Sequence, residues 1–232
     1  VHPDLGPALD GTRALLFDFD GPVCSVFSAL PDQVAADRVR AVLTGAGVEL
    51  SVEVVRTKDP LAVLRFAATA GDEGLVRRAD EALTLAEIEA VQLATPTPGA
   101  AEAVIAAARA GLPVAIVSNN SEAAILLHLI EADLDQYVTT IAGRPAGRPD
   151  LLKPDPYSLL RALAELHVLP FDAVMVGDTA TDVEAARSAG VACIGLARNL
   201  ERHARLRAAG ADLVLGEDGL SQIAEVLTSR PR

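Results

Sequence analysis

The sequence predicts an α/β protein, a doubly wound, mostly parallel sheet with an all-helical subdomain inserted after its first strand. Three observations predict it. Short apolar runs end in polar clusters, helical periods separate those runs from residue 98 onward, and residues 25–94 hold helical periods with almost no strand-like run.

The run 13–19 (Arg-Ala-Leu-Leu-Phe-Asp-Phe) leads into Asp20 and Gly21 and reads as a buried strand that delivers carboxylates at its carboxyl end. Residues 112–117 form a second such run, ending in Ser118-Asn119-Asn120-Ser121. A third, 171–176, ends in Gly177-Asp178-Thr179; a fourth, 191–195, follows, and Leu213-Val214-Leu215 suits an edge strand. Helices are expected over 100–110, 122–131, 156–167 and 181–189, with Gly111 and Gly190 as stops. In such a sheet ligands lie beyond the carboxyl ends of the strands, where the clusters at Asp18, Ser118 and Asp178 fall.

The insert reads as helices over 31–43, 60–70, 73–83 and 85–93. Asp59 caps the second, with Pro60 at its first position, and Thr84 with Glu87 forms a capping box opening the last. Thr95-Pro96-Thr97-Pro98-Gly99 reads as a hinge-like linker and 143–149, rich in Gly, Arg and Pro, as a mobile loop. The expected division is a core of residues 1–24 and 95–232 and a helical cap of 25–94.

Half of the 232 residues are apolar, so a sizeable core can form without disulfides. Cys24 and Cys193 make no disulfide framework, and no apolar stretch is long enough for a bilayer, so a cytoplasmic protein is expected. The net charge of -12 makes nucleic acid and anionic membranes poor partners. A monomer and a homodimer both fit. Aromatic content of 3% with no Trp offers no evident platform for a nucleobase.

Asp18 and Asp20 stand two apart, so on an extended backbone their side chains point the same way. Paired carboxylates repel unless a cation joins them; alone, the pair equally suits a strand entering a turn. Ser118-Asn119 offers a hydroxyl and backbone donors for a phosphate oxygen, with Ser121 the better helix cap. Lys153, before Pro154-Asp155-Pro156, would neutralise a nucleophile and its phosphate. Asp178 and Asp182 give hard oxygen ligands suited to magnesium, although Asp178 or Thr179 also suits a helix cap.

Taken in order, Asp18-Phe19-Asp20-Gly21, Ser118, Lys153-Pro154 and Gly177-Asp178-Thr179-Ala180-Thr181-Asp182 resemble the four motifs of the haloacid dehalogenase superfamily. The insert resembles the helical cap of its phosphoglycolate phosphatase-like and β-phosphoglucomutase-like members. The resemblance implies a Rossmann-like core and a magnesium-dependent phosphatase that hydrolyses a small phosphorylated metabolite through an aspartyl-phosphate. Asp18 would be the nucleophile, Asp20 the proton-transfer partner, and Ser118, Asn119 and Lys153 the phosphate-binding groups. Mg2+ would be held by Asp18, the Asp20 carbonyl and Asp178, with Asp182 and Gly21 in support. An acid at position 20 disfavours a carbon–halogen substrate. A β-phosphoglucomutase-type phosphotransferase, a non-catalytic phosphometabolite-binding protein and a phosphonate hydrolase are the alternatives.

Pro22 and Leu152 depart from the threonine and glycine that many members have there. In the cap, Arg56 and Lys58, with Arg65 nearby, could reach a second anionic group of the substrate, although each of them singly better suits an exposed helix end whose charges face water. Phosphoglycolate-like and sugar-phosphate substrates fit the resemblance better than nucleotides.

Overall fold

The computed structural model describes residues 1–69 and 72–229. A short helix α1 (Leu5–Leu9) precedes β1 (Ala14–Phe17), and β2 (Cys24–Ser25) leads into the insert. The insert holds α2 (Asp32–Gly45), α3 (Val52–Arg56), α4 (Pro60–Thr69) and α5 (Glu73–Leu93), and β3 (Thr95–Pro96) leads out of it. Then follow α6 (Ala100–Arg109), β4 (Val114–Val117), α7 (Glu122–Glu131), β5 (Thr140–Ala142), α8 (Tyr157–Leu166), β6 (Ala173–Gly177), α9 (Ala180–Ala189), β7 (Ala192–Leu196), α10 (Leu200–Ala209), β8 (Leu213–Leu215) and α11 (Gly219–Thr228).

Six strands form one parallel sheet in the order β5-β4-β1-β6-β7-β8, which leaves β8 at an edge. Strands β1, β4 and β6 are buried on both faces, the physical reason their sequences are uninterrupted apolar runs. Alternate residues serve opposite layers. Leu15, Phe17, Val114 and Ile116 pack with α6, α7 and α11. Leu16, Ala115, Val117 and Met175 pack with α8, α9 and α10. Phe17 is level with Ile116 on one side and Val176 on the other. That register brings the ends of β1, β4 and β6, and hence Asp18, Ser118 and Asp178, together at the carboxyl end of the sheet.

Helices α2 to α5 bury an apolar cluster of their own, including Ala35, Val39, Leu43, Val63, Leu64, Leu75, Ala79 and Leu83. Three expectations are corrected here. Residues 73–93 are one helix with no break at Thr84. The Thr84 hydroxyl instead accepts from Arg144 Nη2 at 3.1 Å, and the Glu87 carboxylate also receives Arg144. The same helix continues into the main core, where Ala90 and Val91 are buried. The second correction concerns the linker: Thr95 and Pro96 pair antiparallel with Ser25 and Cys24, so the chain's two crossings to the insert form a ribbon. Third, loop 143–149 is pinned by Arg144, 6% exposed and paired with Asp80 and Glu87.

Helix α4 runs to Thr69; Ala70, where the sequence pattern ends it, lies outside the described residues. The sequence pattern does not mark strands β2 and β5 or helices α1, α3, α10 and α11. Residues of β5 are partly exposed at the sheet's other edge, so their apolar signal is weak. Among the described residues no helix is long and apolar enough to cross a membrane.

Candidate active site

Lys153 is the hub of the site. Its ammonium donates to Asp18 Oδ1 at 2.7 Å, to Asp182 Oδ1 at 2.6 Å and to the Val117 carbonyl at 3.2 Å, so all three of its protons are used. Its side chain is buried, and a solvated loop charge is thereby excluded. The loop that carries it is clamped at the backbone: Lys153 N–H donates to Asn119 Oδ1 at 2.8 Å, and its carbonyl accepts from Asn119 Nδ2 and from Arg65 Nη2. Asn119, expected to bind phosphate, thus spends its side chain on the lysine loop. Its backbone N–H has no partner among the described residues and remains as a donor. Leu152, in place of glycine, is buried, and Lys153 reaches both carboxylates all the same.

Asp18 extends from the end of β1, its backbone N–H held by the Val176 carbonyl. Asp20 sits in a tight turn closed by Cys24 N–H to the Phe19 carbonyl and Gly21 N–H to the Cys24 carbonyl. The turn closes without an amide from Pro22. Gly21 is at φ +116°, and a Cβ there would collide with the Asp178 carboxylate, so the turn and the acid can approach only through glycine. One Asp20 oxygen accepts from Val26 N–H at 3.0 Å.

The capping expectation for Thr179 holds, and it does not displace the functional one. Thr179 and Asp182 form a capping box at the start of α9, with Asp182 Oδ2 accepting from Asp178 and Thr179 N–H while Oδ1 faces Lys153. Gly177 leaves room, since a Cβ there would lie 2.5 Å from the Asp182 Cβ. Ser121 caps α7 as expected. Ser118, buried, exchanges hydrogen bonds with Asn120: its hydroxyl donates to Oδ1 at 3.0 Å and accepts from N–H at 3.2 Å.

The charges do not balance. Asp18, Asp20, Asp178 and Asp182 face two directly paired cations, Lys153 and Arg202, the latter donating to Asp178 Oδ2 at 2.5 Å, with Arg198 acting on Asp178 at longer range. Burial pushes Asp18 well above the ordinary carboxylate range, with Asp182 adding to the push against Lys153. Burial likewise lifts Asp20 and Asp178 to about 6. Asp182 goes the other way: burial opposes its ionisation, but Lys153 and the Thr179 donors outweigh that. Asp18, Asp178 and Asp182 each offer an oxygen within 4.8 Å of the others, and Asp178 Oδ1 is buried with no partner among the described residues. An orphaned carboxylate oxygen in an acid-rich pocket fits a hard divalent cation.

A cavity of about 270 Å³ opens over Asp18, Asp20, Ser118, Asn119 and Lys153, with Phe27, Pro60 and Leu61 of the insert opposite. Its size suits a small molecule, below the usual range for drug-sized ligands. Arg56 and Lys58 are exposed and do not line it; Arg56 borders a separate depression with Thr57, Ala62 and Phe66. The expected anion-reaching role is therefore not served by this arrangement, in which Asp59, the next residue, faces the cavity.

The sequence profile of the haloacid dehalogenase-like hydrolases matches residues 12–190. The chain belongs to that family. This haloacid dehalogenase-like hydrolase is thus an enzyme, and the matched span contains Asp18, Ser118, Lys153, Asp178 and Asp182. A phosphoglycolate phosphatase of Pseudomonas putida is 29% identical over 216 residues, 88% of this chain and 76% of that one. Among solved structures, a haloacid dehalogenase family hydrolase from Deinococcus radiodurans with bound phosphate and sodium superposes with a TM-score of 0.61 at 25% identity, covering 95% of this chain and 99% of its own. CbbY of Rhodobacter sphaeroides, in complex with xylulose 1,5-bisphosphate, shares the fold with a TM-score of 0.64 at 23% identity, covering 90% and 99%.

Two residues of the hydrolase were missed from sequence. Arg202 on α10 reaches Asp178 from 24 positions away, and nothing in its neighbourhood marks it. Arg144 carries no clear signal either, being one of two arginines in a Gly- and Pro-rich loop. It uses every guanidinium proton: Nε to Asp80, Nη1 to Glu87 and the Asn119 carbonyl, and Nη2 to Glu87 and Thr84. Through Glu87, which also accepts from Asn120 Nδ2 and Ser121 N–H, it ties α5 to the loop after β4.

Proposed function

We propose that this hydrolase is a magnesium-dependent phosphatase, a phosphoric monoester hydrolase that cleaves a small phosphorylated metabolite through a phosphoryl group held on Asp18. The observation that carries the reading is the Lys153 ammonium bridging Asp18 and Asp182 on the floor of a small cavity, next to the orphaned Asp178 oxygen. Kinship with phosphoglycolate phosphatases at 29% identity supports it.

In the first step an Asp18 oxygen attacks phosphorus as the ester oxygen departs, taking a proton from Asp20. In the second, Asp20 removes a proton from water, whose oxygen attacks the same phosphorus and frees Asp18 and inorganic phosphate. Two easy displacements replace one hard one. Burial suits Asp20 to this exchange, since a carboxyl titrating at about 6 gives and takes a proton near neutrality. Lys153 offsets charge on the transferring group, the Asn119 N–H is a free donor for its oxygens, and the Ser118 hydroxyl becomes one by turning its proton from Asn120 Oδ1 to the phosphoryl group. Asp18, Asp178 and the Asp20 carbonyl would hold Mg2+, which when bound supplies further positive charge to the phosphoryl oxygens. Asp182 positions Lys153.

The test is phosphate release from a panel of phosphate monoesters with magnesium and with chelator, for the wild type and Asp18→Asn. Release that needs both magnesium and Asp18 is expected; release that survives Asp18→Asn removes the nucleophile assignment.

A further inference from the structure

The cavity's two halves differ in charge. Its floor carries the reacting carboxylates, Lys153 and the phosphate donors, whereas the insert contributes Phe27, Pro60, Leu61 and two acids, Asp32 and Asp59. Among the described lining residues Lys153 is the one base, and its three protons are already engaged. Arg56 and Lys58 are exposed, have no ionic partner among the described residues and do not line the cavity, and three further arginines of the insert are committed elsewhere. Arg40 binds Asp37 and the Val54 and Thr57 carbonyls, Arg38 binds Glu89, and Arg65 binds the Lys153 carbonyl.

Asp32 and Asp59 are exposed residues that, unlike Arg56 and Lys58, line the cavity; Asp32 accepts no hydrogen bond from the described residues, and Asp59 uses one oxygen on Leu61 N–H, leaving the other. Glu87, also at the cavity wall, is neutralised by Arg144 and adds no recognition of an anion. A substrate's phosphate goes to the floor, so its alcohol part faces Asp32, Asp59 and the apolar wall.

Resting on the phosphatase reading above, we infer that Asp32 and Asp59 make this cavity selective for phosphate monoesters of hydrogen-bond-donating, non-anionic alcohols, and set it against esters that carry a carboxylate or second phosphate. A hydroxyl or ammonium donates to the free carboxylate oxygens, while a second anion meets like charge with no cation to offset it. Like-charge juxtaposition is an effective device for rejecting a competitor. The preference runs opposite to what the names of the relatives suggest, since phosphoglycolate carries a carboxylate at this end.

Three two-carbon esters isolate the charge: 2-phosphoglycolate, 2-hydroxyethyl phosphate and phosphoethanolamine, which differ at the far group and little in size. With magnesium, kcat/KM for 2-hydroxyethyl phosphate is expected to exceed that for 2-phosphoglycolate by roughly tenfold or more, the usual size of one charge contact, with phosphoethanolamine at least equal to the neutral ester. Asp32→Asn and Asp59→Asn together should narrow the gap by raising turnover of 2-phosphoglycolate. A preference for 2-phosphoglycolate in the wild type, or a gap that the two variants leave untouched, overturns the inference. If the wild type hydrolyses none of the three and no other ester, the phosphatase reading falls. Calorimetric affinities of the Asp18→Asn protein for the same esters then decide the selectivity separately: tighter binding of the carboxylate ester refutes it, weaker binding sustains it.

Discussion

Two buried ionic clusters lie close together in this hydrolase, and they are built on different terms. Around Arg144, every guanidinium proton has an acceptor, and Asp80 and Glu87 receive further donors from Gly147, Asn120 and Ser121. Around Lys153, four carboxylates face two directly paired cations and the more distant Arg198, and Asp178 Oδ1 is left unpartnered among the described residues. A fully satisfied network fixes one arrangement, whereas a cluster short of positive charge is poised to take some up. Burial and charge alone therefore do not separate a clamp from a catalytic centre; polar satisfaction does.

The sharpest way to break that contrast is to remove one member from each cluster. Asp18→Asn should lower phosphate release by at least about a thousandfold, the scale of losing a covalent nucleophile. Its stability without magnesium should be equal to or above that of the wild type, because one buried like charge disappears. Arg144→Met should do the reverse in stability, costing about 3–5 kcal/mol in denaturant melts because Asp80 and Glu87 are left buried without their cation. A neutral Arg144→Met, or an Asp18→Asn protein that unfolds more readily than the wild type, would erase the distinction.

How much of this was legible in the sequence follows the same divide. The residues of the Lys153 cluster sit at strand ends and helix starts, where an apolar run stopping at an acid is a local signal, and parallel register then brings the ends together. The Arg144 cluster is made of contacts 57 to 67 residues apart between a loop and the middle of a helix, and no local pattern announces it. Thr84 and Glu87 even read as a helix start, a local preference that burial against Arg144 overrides. Helix α5 also shows why the division at 94 reads too cleanly from sequence. Its first part builds the insert's apolar cluster, and its last turns build the core's.

A smaller effect sharpens the comparison through pH. Asp178 and Asp20 titrate at about 6 in the fold against 3.8 in an ordinary carboxyl, chiefly from burial. Because the folded pKa is raised, their contribution to stability is full below about 4 and is lost as pH rises through 6. Asp182, depressed, acts in the opposite sense, but its window lies below 3.8. In chelator these groups should pull the melting temperature down between about pH 4 and 6, with little further change above that. Magnesium should offset the loss, so the gap between melts with and without it should widen over that interval, by about 2–4 °C for each kcal/mol. A gap that stays constant with pH would mean the cation binds away from Asp178.

The smallest effect is expected where sequence alone pointed to specificity. Arg56 and Lys58 stand just before a helix start in the insert, a position that favours anions in general. In the fold both are exposed, neither lines the cavity, and Arg56 borders a different depression. Charges so placed are hydrated and screened by salt, and an exposed pairing contributes little. Replacing both with Ala should therefore change kcat/KM by less than about threefold for anionic and neutral phosphate esters alike. The informative comparison is with Asp59→Asn, one residue away on the cavity side, which should alter the ratio between those esters while the double alanine variant leaves it unchanged. A tenfold loss confined to anionic esters in the Arg56→Ala, Lys58→Ala protein would mean that the insert turns these side chains inward when substrate binds, and the cavity's acidic lining would then not govern selection.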